Sequence, residues 1–194
     1  MQPSGTQPSE AWHWRITLAD SDPPIWRRVA VPAAIALADF HIVIQAAMGW
    51  PPSLSYRFRQ GGHPATLNPD LAPDMTLARL GLVPGARLAY TYDLQDGWLH
   101  SLDLEAIEPG EFLTLPCCLA GERACPPPGC GGMWGYEELL ERLWDPDDPD
   151  CEALLASVGY DFDPDVFDVA AAVQRVAALQ GTIAGTTHPS SGQS

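Results

Sequence analysis

Two stretches of this chain hold the side chains that chemistry requires. The first is Pro116–Tyr136, PCCLAGERACPPPGCGGMWGY, with four of the five cysteines, five glycines and four prolines. Thiolates are nucleophiles and metal ligands. Such a density of helix- and strand-breaking residues also holds a backbone to a particular path. Cys118, Cys125 and Cys130 follow the spacing C-x6-C-x4-C, with Cys117 as a spare. Zinc would need a fourth thiolate or imidazole, and His100 or Cys151 could complete the set after folding. The spacing is not that of a CxxC knuckle. The competing reading is a group of structural thiols in a Gly/Pro clasp.

The second stretch is Asp93 to Asp103. Asp93, Asp96, His100 and Asp103 combine carboxylates with an imidazole, the pairing used in acid–base or metal-assisted hydrolysis. Periodicity argues against a shared site. In an alternating strand, His100 lies on the face of Trp98, Leu102 and Leu104, while Ser101 and Asp103 face the other way. Asp96 reads as the turn residue before Gly97. His41, beside Phe40 and Ile44 on a helical pattern, reads as a packing residue. Trp26, Trp50, Trp98 and Trp134 read as core or interface aromatics, with a ligand groove as the alternative. The acidic run Asp145–Asp150 lacks the glycine and terminal glutamate of an EF-hand loop and reads as a solvated turn with a helix cap.

Composition removes several function classes. The formal charge of −15 opposes direct nucleic-acid binding, which requires a basic face. All ten basic residues are arginine, so Schiff-base and P-loop lysine chemistries are absent. No GxSxG, HExxH or GxGxxG occurs. The N-terminal MQPSGTQPSEAW lacks the apolar core of a signal peptide, and no apolar run approaches a bilayer span. A cytoplasmic location is expected, with the cysteines as thiols or ligands before disulfides.

The elements that must position these residues follow from patterning. Residues 1–10 and 181–194 are polar and small and are expected to be disordered tails around one domain over residues 11–180. Trp12, Trp14, Ile16 and Leu18 alternate as a strand, and Ile25–Val31 forms a second. Leu37, Phe40, His41, Ile44, Ala47 and Met48 mark a helix stopped by Gly49. Leu54, Tyr56 and Phe58 alternate, Met75–Leu82 is a short helical turn, and Leu88–Leu94 and Trp98–Leu104 flank Asp96-Gly97 as a hairpin. Helices follow: Tyr136, Leu139, Leu140 and Leu143 on one face, a short one capped by Asp150, and a longer one opened by Asp163-Pro164. The order predicts an α+β fold, a mixed sheet of β-grasp-like order (β-β-α-β-β-β) followed by a helical part.

Five blocks in register carry a resemblance: IWRRVAVP, LADFHIVIQAAMGW, YTYDLQDGWLH, CLAGERACPPPGCGGMWGYEELLERLWDP and FDPDVFD. Together they resemble the plasmid pRiA4b ORF-3-like family, whose members also occur as passenger proteins of IS1096-type insertion elements. The resemblance spans roughly Trp12 to Leu179. It implies a small plasmid- or mobile-element-associated protein without an assigned reaction. Some members carry a resolvase-like label, which the scattered arginines and acidic charge do not support. Where members commonly have histidines, this chain has Leu54 and Tyr56. Pro128 and Gly129 stand where a Glu-Asp pair is usual, and Gln95 replaces the glycine of a YDFGD motif.

Two readings follow. The preferred one is a non-enzymatic binding or accessory module that engages a protein partner through an acidic surface. The alternative is a small metal-assisted hydrolase or nuclease-like enzyme, built on the cysteine segment and the Asp/His hairpin. The first has no cofactor and no membrane or direct nucleic-acid contact; the second would use zinc.

Overall fold

Trp12, Trp14, Ile16 and Leu18 send bulky side chains to one face of a strand, and that face becomes the core. In the computed structural model, which describes residues 10–52, 55–61 and 68–183, this strand is β1 (Glu10–Leu18). It lies inside a six-stranded sheet with β2 (Trp26–Pro32), β3 (Tyr56–Gln60), β4 (Arg87–Tyr92), β5 (Trp98–Pro109) and β6 (Cys117–Glu122). The spatial order is β3-β4-β5-β1-β2-β6. Helix α1 (Leu37–Met48) separates β2 from β3, and α2 (Gly132–Trp144), α3 (Cys151–Val158) and α4 (Val169–Ala177) complete the chain.

The α+β class and the strand–helix order are as the patterning predicts. Every pairing is antiparallel, where a mixed sheet was expected. The reason lies in the α1 crossover. It carries the chain from β2 to the far edge strand β3, and these two run in the same direction with β1, β5 and β4 between them. No parallel pair therefore becomes adjacent. Leu54 falls outside the described residues, as do residues 1–9 and 184–194 of the expected tails. Glu10 opens β1, and Ile183 packs into the core.

The main core is a continuous cluster between the sheet and α1, with a small second cluster of Ala11, Ala30 and Leu115 beside it. Trp14, Ile16, Val29, Val31, Leu88, Leu102 and Leu104 come from the strands, and Leu37, Phe40, Val43, Ile44 and Ala47 from α1. Each large side chain withdrawn from water contributes about 1.5–3 kcal/mol. Gly49 ends α1 in the left-handed region with φ 92°, its N–H donating to the Gln45 carbonyl at 2.8 Å. The Asp96-Gly97 hairpin forms as predicted, with Tyr92 opposite Trp98.

Three local expectations are corrected. The sixth strand, β6, occupies the start of the cysteine segment. Its sequence CCLAGE has no alternating pattern, and it forms because it pairs with β2. Asp150 precedes α3 without capping it: its carboxylate accepts from Arg142 at 2.8 Å. The last helix opens at Val169, not at Pro164. Asp163 instead accepts from the Asp165 N–H at 2.9 Å, and Asp168 is the cap, accepting from the Ala171 N–H at 2.9 Å.

Candidate functional site

The Gly/Pro segment after β6 forms a clasp over residues 123–131 between α1 and the β4–β5 hairpin. Trp50, just beyond α1, donates from its indole Nε1 to the Pro126 carbonyl at 2.9 Å. At the other end the Gly131 N–H donates to an Asp96 carboxylate oxygen at 3.4 Å. Two glycines make this approach possible. A Cβ on Gly132 would stand 2.5 Å from the Asp96 carbonyl oxygen, at a φ of 74°. A Cβ on Gly135 would overlap the Cys130 carbonyl oxygen.

The candidate catalytic residues are separated by this arrangement. Asp93 adopts φ 50°, and its carboxylate accepts from the Gln95 N–H at 3.1 Å, which shapes the hairpin turn. Asp96 holds the clasp. His100 is fully buried, with Nδ1 donating to the Trp98 carbonyl at 3.1 Å and its ring edge-on to Trp50. A carbonyl partner requires the proton on Nδ1, so Nε2 presents a lone pair, which has no hydrogen-bond partner among the described residues. Burial lowers the His100 pKa to about 3, so the ring is neutral at physiological pH. Asp103 lies on the opposite strand face and pairs with Arg87. The structure does not bring these four into one site.

The cysteines are likewise dispersed among packing roles. Cys118 is buried on β6, Cys117 packs beside Ala11, Ala30 and Leu115, and Cys125 and Cys130 lie against the main core. All five are free thiols. Burial pushes the Cys118 and Cys125 thiols up, and that of Cys130 up to about 11. This is the opposite of an activated nucleophile. Among the described residues, no three His, Cys, Asp or Glu side chains are placed to hold a metal ion. Cys118, Cys125, Cys130 and His100 therefore do not form a ligand set in this structure.

Sequence reasoning missed a buried cation. Arg27 is 1% exposed, on the same β2 face as Val29 and Val31 and in step with the buried Ile25 just before the strand. Its Nε donates to the Ala47 carbonyl at 3.2 Å, and Nη1 donates to the Trp26 and Glu122 carbonyls at 2.7 and 2.8 Å. The Phe167 ring lies 3.8 Å from the guanidinium carbon. Burial lowers its pKa to about 10, so it stays charged at neutral pH. Period-two spacing alone would have placed this arginine inside, because it alternates in step with three apolar residues.

Near α1, His41 is buried, stacks on Tyr56 with ring centroids 3.8 Å apart, and its Nδ1 lies 2.7 Å from the Tyr90 hydroxyl. Of the four tryptophans singled out, Trp50 and Trp98 are buried in the core, Trp26 is half-buried beneath Arg15, and Trp134 is 80% exposed on α2.

An open cleft of about 410 Å³ lies where the clasp faces α2 and α3, with Pro127, Pro128, Leu139, Leu154 and Val158 in its walls. A smaller hollow of about 300 Å³ adjoins it, reaching Trp50, Cys125 and Phe162. Around it, charge is strongly one-sided. From Gly132 to Asp168 the chain carries twelve carboxylates and a single basic residue, Arg142. Arg142 is held by Asp148 at 2.9 Å and Asp150 at 2.8 Å.

The sequence profile of the plasmid pRiA4b ORF-3-like protein matches residues 10–171, nearly all of the folded unit. The chain belongs to the plasmid pRiA4b ORF-3-like family. It is 38% identical over 140 residues to the uncharacterized protein y4hQ of Sinorhizobium fredii, covering 68% of this chain and 72% of that one. The fold resembles the crystal structure of MM3350, a protein of unknown function from Methanosarcina mazei Go1. The TM-score is 0.75 at 31% identity, over 84% of this chain and 97% of that one. In this pRiA4b ORF-3-like chain, the clasp and its anchors Trp50 and Asp96 all lie inside the matched span. Pro128 and Gly129, at the positions where the resemblance leads one to expect acids, line the cleft.

Proposed function

We propose that this chain is a non-enzymatic binding or accessory module that engages a protein partner through its acidic helical lobe. One observation carries the reading: twelve carboxylates against one paired arginine in the stretch that builds α2, α3 and the approach to α4. Such a field accelerates encounter with a basic surface and selects against acidic ones. The side chains that chemistry would use are taken up elsewhere: His100 in the core, Asp93 and Asp96 in the turn and clasp, and the cysteines in packing.

The partner that fits by charge is a basic protein, such as a nucleic-acid-handling enzyme or another product of a plasmid or mobile element. Five free thiols suit a reducing compartment, and the cytoplasm belongs to this reading. No helix among the described residues is long and apolar enough to cross a membrane.

The test is co-purification of the tagged chain from cells that carry its gene, at low and at high salt. A reproducible protein partner is expected, retained at low salt and released at high salt. Failure of any protein to co-purify at either salt, with turnover of a substrate by the purified chain, would overturn the reading.

A further inference from the structure

The cleft beside the clasp has three properties that together select an occupant. It has an apolar side, with Leu139 from α2, Leu154 and Val158 from α3, and Pro127 and Pro128 from the clasp, beside the polar Glu138, Arg142 and Ser157. Its volume of about 410 Å³ accommodates two or three side chains of an extended peptide. Its charged groups leave a net negative wall. Arg142 is neutralised by Asp148 and Asp150, while Glu138 has no ion-pair or hydrogen-bond partner among the described residues.

Trp134 supplies the fourth element. It precedes Glu138 by one helical turn on α2, which places the two side chains as neighbours. At 80% exposure the indole buries little of its area in the chain's own fold. An indole face beside an unpaired carboxylate suits a guanidinium or ammonium group through combined cation–π and ionic contact. Exposed tryptophans are also the residue type most often found at the energetic centre of protein interfaces.

We propose that this cleft receives a segment of a partner protein that alternates apolar and basic residues. An apolar side chain seats between Leu139, Leu154 and Val158, and an adjacent arginine or lysine lies over Trp134 and Glu138. This inference rests on the binding-module reading and deepens it. A second copy of this chain does not suit the cleft. Nine of its ten arginines are engaged with its own carboxylates, carbonyls or rings, and Arg79 alone has no partner among the described residues.

The experiment titrates the full chain into three fluorescein-labelled peptides. One alternates arginine with leucine, the second has glutamate for arginine, and the third has serine for leucine. Fluorescence anisotropy is expected to show binding of the first, with the other two weaker by roughly tenfold or more. Glu138→Lys should weaken the first peptide by roughly tenfold or more, whereas Asp161→Lys, an equal charge change outside the cleft, leaves it within about twofold. Glu138 is exposed, so this variant keeps the fold, which circular dichroism verifies. Amide and indole NMR shifts should centre on Trp134, Leu139 and Val158.

Equal loss in the two charge variants, no binding of the arginine–leucine peptide, or self-association that fills the cleft would each overturn the proposal. Shifts centred on another part of the acidic lobe would remove the cleft while leaving the binding module intact. Failure of every protein to co-purify, with turnover of a substrate by the purified chain, would instead remove the broader reading.

Discussion

Arg27 and Arg175 cap adjacent carbonyls at the C-terminal end of α1: Arg27 reaches the Ala47 oxygen at 3.2 Å and Arg175 the Ala46 oxygen at 2.8 Å. One arginine comes from β2 and the other from α4. The last carbonyls of a helix carry partial negative charge and lack intrahelical donors. Two guanidiniums supply both needs and tie the C-terminal helix to the sheet. Gly121 leaves room for the assembly, since a Cβ there would stand 2.6 Å from Phe167 and 2.8 Å from the Arg27 stem.

Arg27→Met should therefore be costly. It leaves the Ala47, Trp26 and Glu122 carbonyls without their donor, and each buried unpaired acceptor costs about 1–3 kcal/mol. Urea unfolding is expected to show a loss of at least about 3 kcal/mol for Arg27→Met and about 1 kcal/mol for the exposed Arg175→Met. Arg27→Lys should not restore the loss, because an ammonium cannot span three carbonyls and stack on Phe167. A near-neutral Arg27→Met would contradict the capping role.

His100 gives a pH dependence with a definite sign. Its folded pKa of about 3 lies below the ordinary value of 6.5. Between those values the unfolded chain binds a proton that the native chain does not. Stability thus falls as pH drops below 6.5, by about 1.4 kcal/mol per pH unit for one such group, and levels off near pH 3. His100→Leu removes this portion of the slope. Urea midpoints measured from pH 7 to pH 4 on both proteins test it, and parallel curves would show that the ring is not held neutral.

The clasp glycines separate steric need from conformational freedom. Gly135→Ala drives a methyl group into the Cys130 carbonyl and should cost about 2–3 kcal/mol. Gly129, with φ 79° and nothing near its Cβ position, should cost about 1 kcal/mol as alanine. Thermal unfolding of the two variants should rank them in that order.

Thiol chemistry should follow burial. Cys118, which is buried and whose thiol is pushed up by that burial, should react with a disulfide reagent only after denaturant is added. A chelator should leave the urea midpoint unchanged, since no ligand set is assembled among the described residues. Rapid native labelling of Cys118 would contradict the first expectation, and unfolding by chelation the second.

Much of the fold was legible because the residues obey simple periods. Alternation located β1 and β5, Gly49 marked the end of α1, and Asp96-Gly97 marked the hairpin. The same alternation put His100 on the inward face of β5, with Trp98 and Leu102. What escaped detection depends on distant partners. β6 exists through pairing with β2. Asp150 fails to cap α3 because Arg142, eight positions earlier in the chain, takes its carboxylate. The late start of α4 follows from Phe167 turning onto Arg27 and Pro164 accepting from the Ala124 N–H at 3.0 Å. The cysteine spacing was ambiguous because a clasp and a ligand set use the same glycines and prolines. The carbonyl approaches at Gly132 and Gly135 and the dispersal of the cysteines among the described residues distinguish them.

The most direct measurement compares two variants for binding to the co-purified partner by calorimetry. In the first, Glu137, Glu138 and Glu141 on α2 become glutamine. In the second, Asp93→Asn and Cys130→Ser alter the hairpin and cysteine candidates, with asparagine tolerating the left-handed φ of Asp93. The α2 variant should lose affinity by roughly tenfold or more while the hairpin–cysteine variant binds as the wild type does. Loss confined to the hairpin–cysteine variant, with the α2 variant unaffected, would contradict a function carried by the acidic lobe.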